Sequence, residues 1–148
     1  MTRVRGSVEI ARPVEEVFDF VADLRNEVRY NPRMTDSVKL TEGPIGVGTR
    51  FRATVLSHGR SLPVAIECTG FDRPHRMSSH SVMTGAEVDG VVRCRSVPGG
   101  TRFSWDWDVS VAGPAKLAAP VIGWLGRRQE RAIWTGMQNL LESQGEPS

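Results

Sequence analysis

The sequence predicts an α+β domain in which a curved, seven-stranded antiparallel sheet wraps around a long C-terminal helix. Two switches of hydrophobic period and a series of Gly/Pro turns carry that reading. After an N-terminal strand and two short helices, the period becomes two at Pro32–Met34 and holds for about eighty residues; it turns helical again at Gly113-Pro114. Strands joined by short turns pair antiparallel, and a sheet with one apolar face must cover that face. The last helix is the only element large enough to do so.

Each element follows from its own pattern. Val4, Gly6, Val8 and Ile10 alternate with Arg3, Arg5, Ser7 and Glu9, the signature of a half-buried strand. Pro13 suits a helix start, Glu15 and Glu16 suit its first turn, and Val14, Val17, Phe18 and Val21 recur at helical spacing to Ala22. A second short helical piece falls within Asp23 to Arg33, ending near Tyr30-Asn31-Pro32. Val38 and Leu40 then alternate before the Gly43-Pro44 and Gly46-Val47-Gly48 turn. Phe51, Ala53 and Val55 share one face; Val64, Ile66 and Cys68 form the next inward set after a hairpin turn at His58-Gly59-Arg60. Phe71-Asp72-Arg73-Pro74-His75 reads as a turn, and Arg76 to Thr84 as a strand with Met77, Ser79, Ser81 and Met83 on one face and Ser78, His80 and Val82 on the other. Val88, Gly90, Val92 and Cys94 follow. Pro98-Gly99-Gly100 closes a hairpin into the clearest strand, where Phe103, Trp105, Trp107, Val109 and Val111 face one way. From Pro114 to about Ser143 a long helix is expected, interrupted by Pro120, with a frayed tail over 145–148.

The 148 residues suit a single domain over 1–144 with one core. Hydrophobic residues at 39% and charged residues at 24% exclude a largely disordered chain. A net charge of +2 is too small to hold nucleic acid or an acidic membrane by its field. Cys68 and Cys94 are too few for a disulfide framework, so a reducing, cytoplasmic location is the expectation. Ala118 to Leu125, the longest apolar stretch, is too short to span a bilayer.

Particular residues strengthen the reading. Ile10-Ala11-Arg12-Pro13-Val14-Glu15-Glu16-Val17-Phe18, Tyr30-Asn31-Pro32 and Gly46-Val47-Gly48-Thr49-Arg50-Phe51 form one set. Phe71-Asp72-Arg73-Pro74-His75-Arg76-Met77, Gly99-Gly100-Thr101-Arg102-Phe103-Ser104-Trp105 and Arg127-Arg128-Gln129-Glu130 complete it. In this order and spacing they make the chain resemble the SRPBCC (START/Bet v 1-like) superfamily, in its bacterial polyketide cyclase/dehydrase and lipid-transport branch. The resemblance implies a helix-grip fold with an internal cavity. It does not imply one reaction, since the superfamily includes lipid carriers, hormone receptors, cyclases, quinone-binding proteins and co-chaperone-like modules. Many relatives carry tryptophan where this chain has Tyr30, whose phenol would place a polar handle near a pocket mouth.

The candidate pocket lining is Tyr30, Phe51, Val55, Val64, Ile66, Met77, Ser79, Ser81, Val92, Cys94, Phe103, Trp105, Trp107, Val121 and Trp124. Large aromatics are most often simply core. Two neighbouring inward tryptophans are nevertheless hard to close-pack, which favours a lined cavity around Trp105, Trp107 and Trp124. The resemblance implies that the Met77, Ser79, Ser81 and Met83 face is the inward one; the inward strand sets then contain no Asp, Glu, His, Lys or Arg, and His80 would join them only with the register of its strand reversed. No metal-ligand spacing, nucleophile motif or phosphate-binding glycine loop occurs. No catalytic residue, metal or cofactor is therefore assigned.

The expected function is non-catalytic binding, transport or sensing of a small hydrophobic ligand (lipid, quinone or polyketide-like) by a monomer or weak homodimer. Two alternatives stand beside it: a polyketide aromatase/cyclase, and a protein-interaction module using the apolar helix. The Leu117–Leu125 stretch, broken at Pro120, is expected to serve as a lid.

Overall fold

The computed structural model describes residues 2–57, 60–83, 85–111 and 133–143. Strand β1 (Thr2–Ile10) leads into helix α1 (Val14–Ala22) and a 3-10 turn (Leu24–Arg29). Six strands follow: β2 (Met34–Lys39), β3 (Arg50–Ser57), β4 (Arg60–Asp72), β5 (Arg76–Met83), β6 (Ala86–Val97) and β7 (Gly100–Val111). Residues 133–143 are helical and are labelled α2. All strands belong to one antiparallel sheet in the order β1-β7-β6-β5-β4-β3-β2. The two edges are thus β1 and β2, which flank the short helical segments in sequence.

The rest of the expected long helix lies outside the described residues, as do its Pro120 interruption, the Leu117–Leu125 stretch, the His58-Gly59 turn and the tail over 145–148. Helix α1 begins one residue later than Pro13, which serves as its N-cap without a side-chain cap bond. Proline's fixed φ suits that boundary, and its missing N–H costs nothing there. The second helical piece is shorter than expected: it is a 3-10 turn entered through Asp23, whose side chain accepts from the Arg25 N–H, and left at Tyr30.

Phe71 departs from the expected turn. It belongs to β4, because the β4–β5 register shifts between Cys68 and Gly70. A bulge adds one residue to the alternation, so the inward set continues from Cys68 to Phe71 instead of Gly70. Phe71 then meets Phe18 of α1 edge-on, with ring centroids 5.4 Å apart. Leu40, expected as a strand residue, lies beyond β2 and is 56% exposed.

The main core forms where α1 and α2 lie on the inward face. Val14, Val17, Phe18 and Val21 from α1 and Trp134, Met137 and Leu141 from α2 pack against Ile10, Met77, Val92, Cys94, Phe103 and Trp105. The α2 residues recur at i, i+3 and i+7, one face of a helix. Glu142 accepts the Ala11 N–H at 2.9 Å, and Gln138 donates to the Glu9 carbonyl, fixing α2 to the end of β1.

Candidate functional site

Beside this core, on the same inward face, lies a cavity of about 310 Å³. All seven strands contribute to its wall: Val4, Met34, Ala53, Val55, Val64, Ile66, Ser79, Ser81, Met83, Val88, Trp107 and Val109. Leu24 and Glu27 reach it from the 3-10 turn. A smaller space of about 40 Å³ adjoins it, lined by Val21, Leu24, Glu27, Tyr30, Met77, Ser79, Val92, Trp107 and Trp134. Leu24, Glu27, Ser79 and Trp107 border both.

Glycine decides how the two strand tryptophans fit. Gly6 of β1 stands opposite Trp105, and a Cβ there would meet the Trp105 ring at 2.3 Å. Gly90 of β6 stands opposite Trp107, and a Cβ there would lie 2.0 Å from that ring. Each indole therefore lies over a bare backbone, and the two lean toward opposite neighbouring strands. This corrects the expectation that adjacent inward tryptophans resist close packing. Trp105 is 3% exposed and belongs to the packed core, while Trp107 is half-buried and faces both spaces.

Of the expected lining residues, Val55, Val64, Ile66, Ser79, Ser81 and Trp107 border the larger cavity. Tyr30, Met77, Ser79, Val92 and Trp107 border the smaller. Phe51, Cys94, Phe103 and Trp105 border neither; they are buried, three of them in the aromatic core near α2. Val121 and Trp124 lie outside the described residues. Tyr30 is 9% exposed and its ring packs, tilted, between Phe20 at 5.8 Å and Trp134 at 5.7 Å.

Two participants escape the strand alternation. Trp134 is the hub of the aromatic cluster, with ring centroids 4.8 Å from Phe103 and 5.7 Å from Trp105. Its signal was the helical spacing to Met137 and Leu141. Glu27 borders the cavity from outside the sheet. Its Oε2 accepts from Asn31 Nδ2 at 2.8 Å, and its carbonyl accepts the N–H groups of Tyr30 and Asn31. The 3-residue spacing from Leu24 puts both on one face of a 3-10 turn.

His80 faces away from the cavity. Its Nδ1 lies 2.7 Å from Asp89 Oδ1 across the β5–β6 pair, and this hydrogen bond holds the imidazole pKa above its ordinary value. Arg102 pairs with Glu9 at 2.9 Å, Arg3 with Asp106 at 3.0 Å and Arg50 with Glu67 at 3.7 Å on the same outer face. Cys68 and Cys94 are both buried as free thiols. Desolvation pushes the Cys94 thiol up to about 12, so it is a packing group and not a nucleophile. No group of three or more potential metal ligands occurs among the described residues, and no described helix is long and apolar enough to cross a membrane.

A seven-stranded antiparallel sheet with a C-terminal helix packed on its inward face and an apolar cavity beside that core is the helix-grip arrangement of START/Bet v 1-like proteins. The chain belongs to the SRPBCC superfamily: residues 1–142 match its polyketide cyclase / dehydrase and lipid transport family. A protein of Thermus thermophilus shares the fold at TM-score 0.83 and 18% identity, over 97% of this chain and 99% of that one. A START superfamily protein from Mycobacterium smegmatis aligns at TM-score 0.83 and 17% identity, covering 97% and 99%. An aromatase/cyclase of Streptomyces sp. R1128 aligns at TM-score 0.76 and 16% identity, covering 97% and 95%. At these identities the likeness establishes the fold alone. No curated protein matches the chain.

Proposed function

We propose that the protein binds a small hydrophobic molecule (lipid, quinone or polyketide-like) in the cavity beneath its sheet, as a carrier or sensor. The observation that carries this reading is the wall itself: apolar side chains from every strand surround a space at the lower end of the range of small-molecule sites, about 300–1,000 Å³. Each 100 Å² of apolar ligand surface buried there contributes about 2.5 kcal/mol, against which stands the cost of immobilising the ligand. Membership of a family described by lipid transport as well as cyclisation supports the same reading.

One observation favours a second reading. A cyclase needs a positioned acid or base, and Glu27 stands at the cavity where the strands alone offer only serine hydroxyls. On that reading the protein is an aromatase/cyclase acting on a polyketide, with Glu27 as its proton-transfer group.

Native mass spectrometry of protein purified from its own host, followed by thermal shifts with lipids, quinones and aromatic polyketides, tests both. A co-purifying apolar molecule recovered unchanged supports the carrier. Turnover of an added polyketide that Glu27→Gln abolishes supports the enzyme. Absence of any bound or stabilising ligand contradicts both.

A further inference from the structure

Resting on the pocket reading, a ligand occupies the larger cavity, and some residue must stop it at the packed core beside that space. The strand registers locate the stop. Three successive rows of inward residues cross the sheet. The first, Ile66, Ser81, Val88 and Val109, belongs wholly to the wall of the larger cavity. The third, Met77, Val92 and Trp105, belongs to the core. Between them run Cys68, Ser79, Gly90, Trp107 and Val4. Trp107 is the one large side chain of these five. Its ring lies over the bare backbone of Gly90, so the indole covers two positions of the row.

Trp107 also stands between the two spaces, bordering the larger cavity and the smaller one. The smaller space is lined by Met77, Val92 and Trp134, all core residues, and the Trp134 ring centroid is 6.4 Å from that of Trp107. Its volume is about 40 Å³, where roughly 10–15 Å³ suffices for one water. A chain that reaches the indole finds room there for little more than a terminal methyl.

We propose that Trp107 is the specificity-determining residue of the pocket: it closes the inner end of the cavity and sets the longest apolar chain that can be buried. The ligand is a compact apolar molecule that ends against the indole, and a longer chain leaves its excess in water.

Linear alcohols from 1-hexanol to 1-tetradecanol, displacing an uncharged fluorophore from the full chain, measure this limit. In the parent, affinity rises roughly fourfold for each methylene buried and stops rising at one chain length. That break needs no variant to be seen. Trp107→Phe and Trp107→Leu keep an apolar side chain in the seat while opening the row by graded amounts. They are expected to move the break to longer chains, by about one methylene and about two respectively, because the surroundings collapse only partly onto the space left. Val88→Ala, in the row on the cavity side, lowers affinity at every length and leaves the break where it is. Affinity that climbs through the whole series in the parent, or no displacement at any length, overturns the proposal. So does a break that stays in place in folded Trp107→Leu protein or moves as far in Val88→Ala. Each of these results leaves the pocket standing, whereas failure of the fluorophore and of every alcohol to bind overturns the pocket reading itself.

Discussion

The two halves of the inward face are built from the same alternating strands yet end differently. On one half α1 and α2 drive Phe18, Trp134, Met137 and Leu141 between the side chains of β1, β5, β6 and β7, and a continuous core of buried residues results. On the other, Met34, Ala53 and Val64 form a small buried cluster against which Val55, Ile66 and Met83 are partly buried. The described cover there is Leu24 and Glu27. A sheet supplies a wall but not a filling; what decides between core and cavity is the size of the inward residues and what descends on them. Aromatic rings fill the first half, whereas alanine, valine and serine leave space in the second.

The difference can be broken by truncation. Phe103→Ala, at a fully buried ring in the filled half, is expected to cost about 3–5 kcal/mol in urea unfolding. Val64→Ala beside the cavity is expected to cost about 1 kcal/mol, because its wall already lacks contacts on one side. Equal losses at the two sites would contradict the distinction.

The boundary between the halves can be shifted next. Gly90→Ala places a methyl where the Trp107 ring lies and is expected to cost about 1–3 kcal/mol. The displaced indole should also change tryptophan emission and weaken binding of an apolar probe. An unchanged emission spectrum would count against the glycine seat.

The smallest effect lies on the outer face, away from both halves. The raised His80 pKa means that its pairing with Asp89 stabilises the fold fully below the unfolded histidine value of about 6.5. That contribution is lost as pH rises through the folded pKa. With the side chain 36% exposed, screening keeps it well under about 1 kcal/mol. His80→Gln should therefore be slightly less stable than the parent at pH 5.5 and equal to it at pH 9. A difference that grows with pH would reverse the assignment.

Much of this arrangement was legible in residue spacing. The alternation through Phe51, Val64, Val92 and Phe103 placed those strands, whereas the Met77/Ser79/Ser81 face was taken as inward by analogy with the family the sequence resembles. Phe71 was not, because a single bulge residue inverts the parity that alternation depends on. The packing of Trp105 and Trp107 was misjudged because it depends on which glycine stands opposite across the ladder, a property of register and not of neighbouring sequence. Glu27 was missed for a related reason. It borders the cavity from a 3-10 turn, so an inventory of inward strand positions never reaches it.

The central claim is that the under-filled half of the face is a ligand site. Titration with N-phenyl-1-naphthylamine, an uncharged fluorophore, tests it most directly in the wild-type chain and in Ile66→Trp, which fills the cavity. The account predicts saturable binding of one probe per chain. It further predicts that Ile66→Trp weakens binding at least tenfold while the urea midpoint stays near that of the parent. Equal affinity in a folded Ile66→Trp protein would contradict it.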